Sequence, residues 1–139
     1  MSATDFMKSL TIAASGLRAQ AGRMRIISEN LANADSTAPG PNGQPYRRRM
    51  PTFHTELDRA SGVQVVELGR VAIDQSDFRS KYEPGHPAAD ANGNVKYPNV
   101  NSIVEMADMR EAQRSYDANI NLVSATRRML QRTIDILKS

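Results

Sequence analysis

The chain has 139 residues, the size of one domain, with 40% hydrophobic but only 5% aromatic residues and no tryptophan. That is poor material for a large globular core. It has no cysteine, which excludes disulfides, thiolate metal sites and cysteine nucleophiles. Residues 1–35 carry four basic and three acidic groups, 36–102 eight and seven, and 103–139 six and five. The net charge of +3 is therefore spread evenly, whereas a nucleic-acid binder concentrates its basic charge on one face.

Residues 5–31 are predicted as a first helix, capped by Thr4 or Asp5. Phe6, Leu10, Ala13, Leu17, Met24, Ile27 and Leu31 lie on one stripe, and Leu10, Leu17, Met24 and Leu31 are spaced by seven. Ala14, Ala19, Ala21, Gly16 and Gly22 keep parts of the surface slim. Glycine costs roughly 1 kcal/mol against alanine inside a helix, so Gly16 and Gly22 imply close approach of a neighbouring helix. Asn30 and Asn33 close the helix, where an amide can satisfy the last free carbonyls. Asn30 can also fix register between packed helices, as a polar residue does in a coiled-coil seam. Asp5, Lys8, Arg18, Arg23, Arg25 and Glu29 break up this region, so it is not read as a secretory signal peptide. No stretch is long enough to span a membrane.

Pro39, Gly40, Pro41, Asn42, Gly43 and Pro45 make 38–45 a loop. Residues 46–57, 63–74 and 78–82 are predicted as short strands of one small, partly open sheet. Tyr82 to Pro87 is extended and rigid. Asn92-Gly93 is the favoured pair for a tight hairpin, with Val95-Lys96-Tyr97 as a short strand after it. Asn101 or Ser102 caps the next element, and Glu105 places its charge in the first turn, where it suits the helix dipole.

From Ile103 to Leu137 no proline or glycine occurs, and Met109, Tyr116, Val123, Leu130 and Leu137 recur every seven residues. Met106, Ile120 and Ile134 fill the neighbouring stripe. This is one long amphipathic helix, about 50 Å at 1.5 Å per residue. Ile12 and Ile26 on the first helix, and Ile103, Val104 and Leu122 on the second, fall outside a strict seam. The fold class is therefore mainly α with a small β region. Two long terminal helices pack as a coiled-coil-like pair around a short, irregular β-hairpin middle. The expected parts are 1–35, 36–102 and 103–139. One partner helix cannot cover every apolar position, so the ends are expected to be mobile or disordered alone and to order on assembly.

No catalytic, cofactor or metal site is expected. No GxSxG, P-loop or dinucleotide fingerprint occurs. His54 and His86 stand alone in their segments, without the i,i+4 or cysteine partners of common metal sites. An EF-hand counted from Asp90 needs glycine sixth and glutamate twelfth, but those positions are Val95 and Asn101. Arg47, Arg48 and Arg49 form the one basic concentration. Alternation in an extended segment lets at most two of them share a face, which suits an acidic patch on a protein neighbour. The alternative function is a dimeric helical regulator gripping nucleic acid with these arginines.

Several segments resemble the bacterial flagellar rod and hook proteins. Ala14-Ser15-Gly16-Leu17 and Asn30-Leu31-Ala32-Asn33-Ala34 are similar to the N-terminal signature of that axial family. Pro45 to Arg48, Tyr82 to Pro87, Gly93 to Asn101, Glu105-Met106 and Arg114 to Asn119 narrow the match to its proximal rod branch. Ala88, where relatives often carry Asp or Asn, and Met50 after the arginine triplet depart from the pattern. The resemblance implies a structural subunit that leaves through the flagellar type III export apparatus without signal cleavage. It then assembles in the periplasm into a helical tube that transmits torque around the export channel. Implied partners are further copies of the chain, other proximal rod proteins, the distal rod protein and the adaptor to the membrane ring. Leu10, Leu17, Met24, Asn30, Leu31 and Asn33 would pack between subunits from the first helix. Met109, Tyr116, Asn119, Ile120, Val123, Leu130, Ile134 and Leu137 would do so from the second.

Overall fold

A computed structural model describes residues 2–139. Among the described residues there are two helices, α1 (Ala3–Ala32) and α2 (Ser102–Lys138). Six short strands lie between them: β1 (Arg49–Met50), β2 (Phe53–Asp58), β3 (Val63–Leu68), β4 (Ala72–Ile73), β5 (Arg79–Tyr82) and β6 (Asn94–Tyr97). The expected class, mainly α with a small β region, is the observed one. The chain folds as two compact units. The first comprises Met1–Met24, Thr52–Arg70 and Arg110–Ser139, and the second Arg25–Pro51 and Val71–Met109.

In the first unit α1 starts on Ser2, not on Thr4 or Asp5. The Ser2 hydroxyl accepts the Asp5 N–H at 3.2 Å, and the Asp5 carboxylate accepts the Ser2 N–H at 3.0 Å. This reciprocal box satisfies two helix-end donors. Bonds from the Ser2 N–H and hydroxyl hold the Asp5 carboxyl below its usual pKa. The two helices run antiparallel here. Gly16 packs on Asn119, and seven residues further along α1, Arg23 reaches Glu111 at 3.5 Å, eight residues back along α2. A Cβ on Gly16 would lie 2.8 Å from the Asn119 side-chain oxygen, so glycine there permits the close helix approach. Gly22 serves a different neighbour: its missing Cβ would meet Leu68 of β3 at 2.9 Å, not a helix.

The hairpin β2–β3 pairs Phe53 with Leu68 through to Asp58 with Val63. Gly62, at a φ of +71°, makes its turn. The β3 edge meets α1, where the Ser15 hydroxyl accepts the Val66 N–H at 3.2 Å. Phe6, Ala13, Ala19, Val65 and Ala112 are buried in this unit.

In the second unit β1 pairs with β4 and β5 with β6, both antiparallel. The expected single sheet is thus three separate two-stranded ladders. Pro51 has no N–H to give a ladder and stands between β1 and β2. The expected tight hairpin at Asn92-Gly93 is also different. Residues 83–93 form a longer loop between the paired ends Tyr82 and Asn94. Gly93 sits at a φ of +83° inside a turn in which the Asp90 carboxylate accepts the N–H groups of Asn92 and Asn94. Val95 and Val100 are buried. Asn33 closes α1 by donating its amide to the Glu29 carbonyl at 2.8 Å, and Asn101 opens α2 by accepting the Ile103 N–H at 3.1 Å.

Candidate assembly interface

The seven-spaced apolar rows are not the most buried rows of the helices. Leu10, Leu17, Met24 and Leu31 on α1, and Met109, Tyr116, Val123 and Leu130 on α2, are half-buried. Deepest on α2 is the row four residues earlier, Glu105, Ala112 and Thr126, with half-buried Asn119 between them. Small and polar side chains let helix backbones approach, and larger ones flank the contact. Ile26, expected outside the seam, is buried. Ile12, Ile103, Val104 and Leu122 are exposed, as are Ile120, Ile134 and Leu137. Every residue from Gln131 to Ser139 is exposed, and Leu137 retains 81% of its accessible surface.

The second unit is built around a polar centre. Asn30 and Glu105 are each 1% exposed. Asn30 donates its amide to the Arg49 carbonyl at 2.8 Å and to Glu105 at 3.2 Å. Its oxygen accepts the Tyr46 hydroxyl at 2.7 Å and the Arg49 N–H at 3.0 Å. Two donors and two lone pairs are therefore all used. Among the described residues, no buried side-chain nitrogen or oxygen lacks a partner. Arg48 donates its Nε to Glu105 and lies 3.7 Å from Asp74 and 3.6 Å from Asp108. Burial works against the Arg48 charge, but the hydrogen bond and charge of Glu105, with Asp74 and Asp108, outweigh it and raise its pKa. The N–H and hydroxyl of Ser76, then Arg48, lower that of Asp74. Burial raises that of the Tyr46 hydroxyl. Asn99 completes the set, accepting the Arg48 N–H at 2.7 Å and donating to the Asp74 carbonyl at 3.0 Å.

The three arginines diverge. Arg47 stacks its guanidinium 4.2 Å from the Phe78 ring centre and donates to the Asp74 and Ser76 carbonyls. Arg48 turns inward to Glu105. Arg49 stays half-exposed and pairs with Glu29 at 3.4 Å. Such a triplet offers no shared cationic face to a phosphate backbone.

The family model described as "Flagella basal body rod protein" matches residues 10–39, and that described as "Flagellar basal body rod FlgEFG protein C-terminal" matches residues 91–136. Over 128 residues the chain is 55% identical to the flagellar basal-body rod protein FlgC of Agrobacterium fabrum, covering 92% of each chain. It is 41% identical to FlgC of Salmonella typhimurium over 125 residues, covering 90% of this chain and 92% of the relative. It is 37% identical to FlgC of Bacillus subtilis over 145 residues, covering 94% and 97%. The chain belongs to the FlgC family of flagellar basal-body rod proteins. Membership makes it a structural rod subunit of the basal body, and nothing supports the nucleic-acid reading.

The matched segments hold α1 from Leu10 onward with its closing asparagines, and β6 with α2 as far as Ile136. The β2–β3 hairpin, 53–68, lies outside both. The Glu105 centre was only partly legible in sequence. Glu105 does lie in the first turn of α2, as its position predicts, and it is in addition a buried acceptor. The available signal was its seven-residue spacing from Ala112. His54 is not alone: its Nε2 lies 3.7 Å from Glu56 and 3.8 Å from Glu67. His86 folds back on its own turn, its Nδ1 accepting the Ala88 N–H at 3.0 Å.

Proposed function

We propose that this rod subunit belongs to the proximal part of the rod and forms part of a helical tube that surrounds the export channel and carries motor torque. The observation that carries the reading is the apolar surface left bare on α2. Ile103 keeps 79% of its accessible surface, Leu137 81%, and Val104, Met106, Leu122, Met129 and Ile136 are exposed as well. Burying one such side chain fully contributes roughly 1.5–3 kcal/mol, so several together strongly favour association. Identical units meeting through unlike surfaces build rings or helical tubes instead of closed pairs.

The packing residues in this reading are the half-buried row from Met109 to Leu130, with Ile120, Ile134 and Leu137, and the row from Leu10 to Leu31. The fully occupied Asn30, with Asn33 and Asn119, holds those rows in register. Arg49, the most exposed of the three arginines, is the one open to a protein neighbour. The partners are further copies, other rod proteins including the distal rod protein, the adaptor to the membrane ring and the type III export apparatus. The chain acts in the periplasm after export without signal cleavage. No helix among the described residues is long and apolar enough to cross a membrane.

Imaging of purified basal bodies with this subunit labelled tests the assignment. Label at the membrane-proximal end of the rod is expected, and label elsewhere overturns it. A second measurement addresses the mechanism. In dilute chain, amides of residues 127–137, past the last buried side chain Thr126, are expected to exchange readily and to become protected on assembly. Strong protection of that whole stretch before assembly refutes the coupling.

A further inference from the structure

We propose that the β2–β3 hairpin carries a divalent transition-metal site formed by His54, Glu56 and Glu67. His54 and Glu56 are two apart on β2 and so share one face. Glu67 is the ladder partner of His54 on β3, which brings it to the same face. One ligand atom from each of the three side chains falls within 4.8 Å of the other two. The imidazole Nε2 stands 3.7 Å from the Glu56 carboxylate and 3.8 Å from the Glu67 carboxylate. Ligand atoms around a tetrahedral zinc ion sit about 3.3 Å apart, given metal–ligand distances near 2.0–2.1 Å. The imidazole therefore needs shifts of about 0.5 Å toward each carboxylate. The two carboxylates, which lie within 4.8 Å of each other, close by up to about 1.5 Å, and all three side chains are exposed and free to move that far.

The donor set names the chemistry. Two carboxylates offset the charge of a divalent cation. An imidazole nitrogen favours zinc and its neighbours over magnesium or calcium, which prefer all-oxygen sites. Three protein ligands leave a coordination position for solvent or for a side chain of an adjoining molecule. The ligands come from both strands, so the ion links β2 to β3. A two-stranded hairpin is marginal by itself in water, and a metal that binds only the closed hairpin stabilises it by mass action. The sequence alone hid the site, because its members are two residues apart in a strand or joined only across the ladder.

The test uses the full-length chain and Zn²⁺, with Mg²⁺ as the control ion. One saturable Zn²⁺ equivalent is expected. At free Zn²⁺ of 100 times its Kd, amide exchange in residues 53–68 should slow by about 100-fold. Mg²⁺ should produce no such slowing. His54→Ala and Glu67→Gln, both at exposed positions, should keep the fold and lose the effect. His86→Ala should leave it intact. Absence of saturable binding, or slowing that survives both hairpin substitutions, overturns the proposal. Binding abolished by His86→Ala also overturns it, and none of these outcomes bears on the rod assignment.

Discussion

Replacing Asn30 with alanine would strand four groups at once. The Arg49 N–H and carbonyl, the Tyr46 hydroxyl and one Glu105 oxygen all point at its amide, and at 1% exposure no solvent takes its place. A net hydrogen bond is worth about 1 kcal/mol, and an unsatisfied buried group costs about 1–3 kcal/mol. Tyr46 is only half-buried and can turn to water, and Glu105 keeps Arg48. The two backbone groups of Arg49 and the lost bond to a charged oxygen remain, giving a cost of about 3–5 kcal/mol. At about 1.4 kcal/mol per tenfold, opening of the second unit becomes roughly 100- to 4,000-fold more frequent. Native-state amide exchange across residues 25–51 and 71–101 reads that factor directly. Asn30→Asp should be at least as damaging, because it exchanges two donors for acceptors beside the Glu105 carboxylate. Protection within threefold of the parent in both variants would refute the idea that this amide organises the unit.

Gly16→Ala places a Cβ 2.8 Å from the Asn119 side-chain oxygen and should cost about 1–3 kcal/mol by overpacking. In a thermal double-mutant cycle, Asn119→Ala should recover most of that loss, and a purely additive cycle would contradict the close approach. Leu137→Asp alters a side chain that is 81% exposed, so its effect on melting should stay within about 0.5 kcal/mol. Swimming should nevertheless be lost, since a charge inside a packed subunit seam lacks a partner. Normal motility would count against α2 as an assembly surface. Asp74 is held below its unfolded pKa by Ser76 and Arg48. It therefore contributes stability that is complete above the unfolded value, about 3.9, and is lost as pH falls through the lower folded value. Carboxyl titration by NMR should show its midpoint below that of an unfolded aspartate, and Arg48→Lys should raise it. A midpoint at or above the unfolded value would contradict the pairing.

Much of the architecture was present in local spacing. A helix brings residues seven apart onto one face whatever surrounds it, so α1 and α2 were readable to within three residues of their observed ends. The cap of α2 was readable to within one residue, Asn101 or Ser102, because a cap bonds within its own turn, and it is Asn101. The proline and glycine run at 39–45 could only be a loop. By contrast, β-ladders depend on partners that local pattern does not specify, so an expected sheet became three separate pairs.

The row that α2 buries deepest, with Glu105, Ala112, Asn119 and Thr126, carries no apolar signature. Hydrophobic periodicity pointed instead to its larger neighbours from Met109 to Leu130. Small and polar groups become interior only when another backbone comes close enough to need them. The bonds of Asn30 to Arg49 and Glu105 reach 19 and 75 residues along the chain. The His54 group likewise depends on Glu67, brought opposite by the fold of the hairpin. Helix identity, caps and breaks were settled by forces acting over a few residues. The polar centre and the hairpin cluster arose from tertiary packing, because a hydrogen-bonding or ligating side chain does not declare its distant partner until the chain has folded.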